Sequence, residues 1–238
     1  MPVTFRNYPG GQARGGAKWA SVCLVQLIGY RSMSVVCLDW ETAHTHGEAW
    51  ISHHRLRHRL FVERQGWNLP TYNGLEYDQF DTPAAKYLLW LDESGTARGV
   101  TRLLPTTEAY MVKEVWPDLV DDLLPESASI WEATRFGCDR DLEPALRRRV
   151  IAEMICACQE FGVSHDIRRY LSVMPVRIFR QVIIAAGCPV EFLGPIRKLA
   201  SHRTAAAYVS VSADVLATVR RRLDVGAPVL MDKAQLVA

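Results

Sequence analysis

Six ionisable side chains between residues 57 and 135 stand out because their neighbours are apolar. Arg57 shares a helical stripe with Trp50 and Phe61. Asp78 and Asp81 sit among Tyr77 and Phe80. Arg102 ends an apolar strand, and Glu132 and Arg135 lie inside the segment 130–136. A charge buried without a partner costs several kcal/mol. Three arginines and three carboxylates can neutralise one another, so the set is either a structural ion-pair network or the lining of a site. Both readings stand at this level.

The chain that must position them has 238 residues, 49% of them hydrophobic, which is enough to bury a sizeable core and excludes wholesale disorder. Its 28 basic and 26 acidic residues leave a net charge of +2, which argues against binding nucleic acid by bulk charge. There is no run of 18 apolar residues, so no membrane insertion is expected. The longest apolar stretch, 22–30, contains Gln26 and Gly29 and lacks a small-residue cleavage site. Cysteines 23, 37, 138, 156, 158 and 188 form no CxxC and suit a reduced, cytoplasmic interior.

Residues 1–33, with Pro2, Pro9, Gly10, Gly11, Gly15 and Gly16, read as a disordered lead, and Met33 is a candidate true start. Apolar spacing predicts a helix over 44–65 that ends at Gly66. A loop over 67–74 carries Pro70 and Asn73-Gly74 as turn signals, and 76–81 is an acidic, aromatic extended segment. Strands over 86–92 and 97–104 form a hairpin. Short helices over 108–124 break at Pro117, and a strand follows over 129–138. Pro144 suits the first turn of a helix that reaches Phe161 and buries Leu146, Val150, Met154, Cys158 and Phe161. Further strands are predicted over 169–173, 190–193 and 205–212, and helices over 176–186 and 215–223. One domain over 34–223 and a loose tail over 224–238 complete the expectation. The pattern is that of an α/β fold with a mixed sheet in a three-layer sandwich.

Four pieces occur in order: Arg57-x3-Phe61-x5-Trp67, Glu76-x-Asp78-x2-Asp81, Arg102-Leu-Leu-Pro-Thr106 and Glu132-x2-Arg135-Phe136. Together they closely resemble the acyl-homoserine-lactone synthases, the LuxI-type autoinducer synthases. The resemblance implies a three-layer αβα sandwich with a mixed, mostly antiparallel sheet, like the GCN5-related N-acyltransferases. It also implies a reaction. An acyl group passes from a thioester carrier, acyl-coenzyme A or acyl carrier protein, to the amine of S-adenosylmethionine, and lactone closure releases methylthioadenosine. The alternatives are a related N-acyltransferase acting on another amine and a non-catalytic ligand-binding module.

On that reading S-adenosylmethionine is a substrate, and no cofactor, metal or nucleic acid is expected. Its ammonium needs acids, its carboxylate a base and its sulfonium an aromatic face. Asp78 and Asp81 are candidates for the cationic end, directly or through arginines. Phe61 and Trp67 form a wall, with Phe136 in the same motif set. Arg57, Arg102 and Arg135 hold the carboxylate or fix the acids. Acylation needs a neutral amine, and Glu132 is the candidate base. In a straight strand Glu132 and Arg135 face opposite ways, so a β-bulge is expected beside them. Arg147, Arg148 and Arg149, near the start of the helix that opens at Pro144, are candidates for the carrier phosphate. Met174, Val176 and Phe179 are candidates for the acyl pocket. Members of the family that the chain resembles often carry a threonine near here when they accept a 3-oxo chain. Residues 171–181 have none, so the resemblance implies an unsubstituted chain, and the bulk of Met174 and Phe179 points to a short, branched or aromatic one. His54 and His58, four apart, are a weak metal pair without a third ligand.

Overall fold

The computed structural model describes residues 35–231. The chain enters as β1 (Val35–Leu38) and then forms α1 (Gly47–Arg57), which continues unbroken as a π-helical turn over His58–Glu63. Asn73 and Gly74, both at positive φ (49° and 74°), close a small hairpin of β2 (Thr71–Tyr72) and β3 (Leu75–Glu76). These two residue types tolerate the left-handed backbone that such a tight turn requires. A second hairpin joins β4 (Lys86–Leu91) to β5 (Ala97–Pro105). Then come α2 (Met111–Val115), β6 (Ile130–Cys138), α3 (Pro144–Ser164) and β7 (Arg169–Pro175). Helix α4 (Val176–Ile178) runs on as a second π-helical turn over Phe179–Ile184. Strands β8 (Val190–Phe192), β9 (Arg197–Leu199) and β10 (His202–Ser210) precede α5 (Ala213–Leu223).

The main sheet runs β1-β4-β5-β6-β7-β10-β8, with β9 also on β10, and among these named strands of the described residues β6 and β7 alone pair in parallel. Tyr87 and Leu89 pack with Leu56, Leu60 and Phe61 of α1, while Leu88 and Trp90 pack with Val150, Met154 and Phe161 of α3. That two-sided burial explains why β4 reads as a continuous apolar run rather than an alternating one. The three-layer α/β sandwich with a mixed, mostly antiparallel sheet is therefore the architecture the sequence predicted.

Three irregularities position the site. In the first, Arg102 pairs with Thr134 but Val100 pairs with Gly137, so Arg135 and Phe136 together oppose Thr101. This is the expected bulge. Arg135 takes a φ of 56°, which turns it back to the face of Glu132 and Thr134. A left-handed backbone costs a non-glycine residue roughly 1–2 kcal/mol, and the ion pairs of Arg135 offset it. In the second, β6 and β7 pair only as far as Glu132 and Leu171, although β7 stays on β10 to Pro175. The two strands splay beyond that point. In the third, a Cβ on Gly137 would lie 2.6 Å from Leu60 Cδ1, so the π-helical end of α1 sits directly on β6.

Several expectations change. β1 and β9 were not predicted. In α3, Leu146 and Cys158 are only half-buried, whereas Val150, Met154 and Phe161 are in the core. The tail is not loose as far as Met231. The Val229 and Leu230 N–H groups donate to the Glu160 carboxylate at 3.0 and 2.8 Å. Val35 N–H donates to Val229 O at 3.1 Å, and Met231 N–H to Val35 O at 2.8 Å. The predicted disordered lead and the Met33 start lie outside the described residues.

Truncation after Leu223 removes these donors and uncovers β1. We expect the melting temperature to fall by about 5 °C or more, since each kcal/mol moves a chain of this size by roughly 2–4 °C. An unchanged melting temperature in differential scanning calorimetry would show that the segment adds nothing.

Candidate active site

The three arginines meet three carboxylates in one dry cluster. Arg57 donates from Nε to Glu76 Oε2 at 2.5 Å and makes a two-pronged pair with Asp81 at 2.7 and 2.9 Å. Arg102 reaches Asp78 at 2.5 and 3.1 Å and Asp81 at 2.9 Å, and its Nε donates to Thr134 Oγ1 at 3.2 Å. Arg135 Nη2 reaches Asp78 at 2.6 Å and Glu76 at 3.0 Å. Tyr87 adds its hydroxyl to Asp81 at 2.7 Å. Arg57, Arg102 and Glu76 have no exposed surface, and Asp78 and Asp81 side chains keep 4% and 6%. Three positive and three negative charges cancel, which is the condition for so many ions to tolerate burial. The charge-assisted, partly two-pronged geometry gives each carboxylate more than one donor.

The third acid is Glu76, not Glu132. The motif contains Glu76, but sequence reasoning gave it no role. The one signal available was its place just after the Asn73-Gly74 turn. Burial alone would raise the carboxyls of Asp81 and Glu76, but Arg57, with Arg102 for Asp81 and Arg135 for Glu76, holds both below the usual range. Burial would lower Arg57, and the charges of Asp81 and Glu76 raise it instead. The arginines thus fix the acids: Asp78 and Asp81 spend their oxygens on guanidiniums.

Around the cluster, Phe61 stacks on Trp67 with centroids 5.4 Å apart, and the Arg135 guanidinium lies 5.5 Å from the Phe61 ring and 6.0 Å from the Trp67 ring. Trp67 is half-buried and Phe61 buried. Phe136 is not brought here. Because the bulge turns Arg135 back to the face of Glu132, the next residue, Phe136, points to the other face and packs into the core under α3. His54 Nδ1–H donates to Glu76 O, 2.8 Å away, and the ring stacks on Tyr77. His58 bonds to Glu63, and no group of three potential metal ligands exists among the described residues.

Glu132 lies one residue before the point where β6 leaves β7, with no exposed surface. Its two oxygens accept from the N–H groups of Met111 at 2.9 Å and Val112 at 2.7 Å. Desolvation dominates these bonds and pushes its carboxyl up to about 7. The residue therefore changes protonation near neutral pH and also anchors α2.

At the splayed end, Met174 is half-buried, Val176 is buried, and Phe179 is fully buried edge-on against Phe192 at 5.5 Å. The three predicted phosphate residues separate. Arg149 is paired with Glu153 at 2.6 Å and Arg148 is exposed with no ion pair among the described residues, whereas Arg147 donates to Arg140 O at 3.0 Å. Arg147 instead joins Arg64, Arg140 and Arg177. Desolvation and the charges of those other three arginines push the Arg64 guanidinium down. None of the four makes an ion pair among the described residues. Arg64 follows the first π-helical turn, Arg140 lies between β6 and α3, and Arg177 lies in α4, so no linear motif revealed the patch.

The autoinducer synthase family profile matches residues 43–218. The acyl-homoserine-lactone synthase of Ralstonia solanacearum is 32% identical over 180 residues, 71% of this chain and 85% of that protein. That of Aeromonas salmonicida is 36% identical over 149 residues, 59% and 69% of the two chains. Among solved structures, the CoA-dependent acyl-homoserine lactone synthase BjaI, determined with MTA, superposes with a TM-score of 0.75 at 29% identity, covering 84% of this chain and 93% of that one. LasI gives 0.69 at 26% identity, with 84% and 97% covered. The chain belongs to the autoinducer synthase family. It is an acyltransferase of the acyl-homoserine-lactone synthase kind.

Linkage gives Glu132 a distinct signature. Its folded value of about 7 lies above the ordinary 4.5. The folded state therefore binds more protons in that window, and the stability contribution is complete below about pH 4.5 and lost as pH rises through 7. Asp81 and Glu76 run the other way: their contribution is present above the ordinary carboxylate range and lost on acidification. Glu132→Gln costs one backbone acceptor at every pH. Relative to wild type, the variant should gain on the order of 2–3 kcal/mol between pH 5 and pH 8 in urea denaturation. A pH-independent difference would contradict the buried, raised carboxyl.

Proposed function

We propose that this chain acylates the amine of S-adenosylmethionine from a pantetheine thioester, with Glu132 as the base. The supporting observation is a carboxyl poised near neutrality at the fork of β6 and β7, where a base matched to the working pH is most effective. Glu132 takes a proton as the amine nitrogen attacks the thioester carbonyl, the thiolate leaves, and the proton passes to it. Backbone N–H groups on the splayed strands stabilise the oxyanion. The substrate carboxylate then attacks the carbon beside the sulfonium, the C–S bond breaks, and methylthioadenosine departs as a neutral thioether. Holding the folded-back conformer supplies most of that second step.

In this reading the ionic lattice is the rigid floor of the amino-acid site, and Trp67 offers its half-buried face to the sulfonium. The acyl chain lies along Met174, Val176 and Phe179. The unpaired arginines 64, 140, 147 and 177 hold the phosphate that coenzyme A and acyl carrier protein share. The reaction needs no cofactor, and the cytoplasm, where both substrates are made, is the compartment it requires. No helix among the described residues is long and apolar enough to cross a membrane.

The two backbone bonds to Glu132 favour a second reading, in which it only anchors α2. Product mass spectrometry with kinetics separates the two. Wild type should yield lactone and methylthioadenosine together, with a rate that rises with pH through an inflection near 7. Glu132→Gln should lose about 10²-fold or more in turnover. Full turnover in that variant leaves only the anchor, and acylated product without methylthioadenosine points to a different amine. Arg64→Glu combined with Arg177→Glu should raise the donor KM about tenfold or more and leave that of S-adenosylmethionine unchanged. An unchanged donor KM would remove the patch from carrier binding.

A further inference from the structure

The β6–β7 ladder stops at Glu132 and Leu171, and the next β6 acceptor, the Ala133 carbonyl, takes the Ser172 hydroxyl at 3.1 Å. Ser172 is 2% exposed. In the adjoining pair, Ala206 opposes Val173 while Ala206 O accepts from Leu193 N on the far side of β10 at 3.0 Å. Ala206 and Val173 are therefore a pair without mutual hydrogen bonds, and the Val173 N–H faces β6. It is the peptide donor that would extend the ladder if the Ala133 carbonyl were available. The following β6 carbonyl, Thr134 O, faces the other neighbour, β5, where it accepts from Thr101 Oγ1 at 3.1 Å, so it offers β7 no alternative acceptor. A hydroxyl bond from a side chain spans more distance between strands than a peptide N–H.

We infer that Ser172 is a positioning residue that wedges the fork open by occupying the Ala133 carbonyl, so that the splayed strands can admit the pantetheine arm of the acyl donor. This rests on the proposed acyl transfer for its consequence, though not for its geometry. Without the hydroxyl, a buried carbonyl seeks a donor, and the Val173 N–H supplies it by drawing β7 toward β6. The cleft then narrows on the donor side, while the ionic lattice, carried by α1, β3, the loop after it, β5 and the bulge of β6, stays as it was.

Two measurements on Ser172→Ala and Ser172→Thr test this. Hydrogen exchange should show the Val173 amide protected at least tenfold more in the alanine variant than in wild type, with threonine restoring the wild-type rate. In methylthioadenosine release from S-adenosylmethionine with butanoyl-coenzyme A as donor, the alanine variant should raise the donor KM about tenfold. Its kcat and the S-adenosylmethionine KM should stay within about twofold, and threonine should rescue. Unchanged exchange at Val173, or a loss confined to kcat, overturns the inference. If wild type releases no methylthioadenosine, the acyl-transfer reading falls on its own, and the wedge stands or falls on the exchange result alone.

Discussion

The structure depends on charge balance in a space that water does not reach. Three guanidiniums and three carboxylates, contributed by α1, β3, the loop after it, β5 and β6, share one cluster with nearly no exposed surface. Any one of them alone would cost more to bury than a single pairing returns. The local irregularities of the fold serve the convergence. The Asn73-Gly74 turn delivers Glu76, the bulge returns Arg135 to the right face, and the π-helical turn after Arg57 places Phe61 and Leu60 on β6.

The cluster's neutrality bears on function as well as stability. Because the acids and arginines are spent on one another, they form a preorganised floor rather than free hands for a ligand. The reactive features lie at its rim. Glu132 has a proton affinity set by desolvation, Trp67 is partly uncovered, and β6 and β7 separate one residue further along. Two π-helical turns flank this rim, and the unpaired arginines 64 and 177 stand just after one and just before the other.

What the sequence reveals follows from which forces are local. Alternating and continuous apolar runs, turn residues and helix stops place β4, β5, β6, α3 and α5 close to where they are found. The bulge was legible because Glu132 and Arg135 could share a face in no other way. The identity of the third acid was not, since Glu76 and Glu132 are equally good by type and spacing and only the hairpin of β2 and β3 decides. Phe136 was misplaced for a related reason: a bulge flips one residue and leaves the next in ordinary alternation. The arginine patch and the ordered segment up to Met231 depend on contacts between distant parts of the chain, such as Glu160 with Val229.

The central claim is that the six charges act as one balanced unit, and a double-mutant cycle on Arg57 and Glu76 tests it most directly. Each single change to methionine leaves an odd charge in the interior and should cost about 3–5 kcal/mol in chemical denaturation. The double variant restores two against two and should cost at least about 2 kcal/mol less than the sum of the singles. Additive costs would show that the ions are buried independently and would contradict the account.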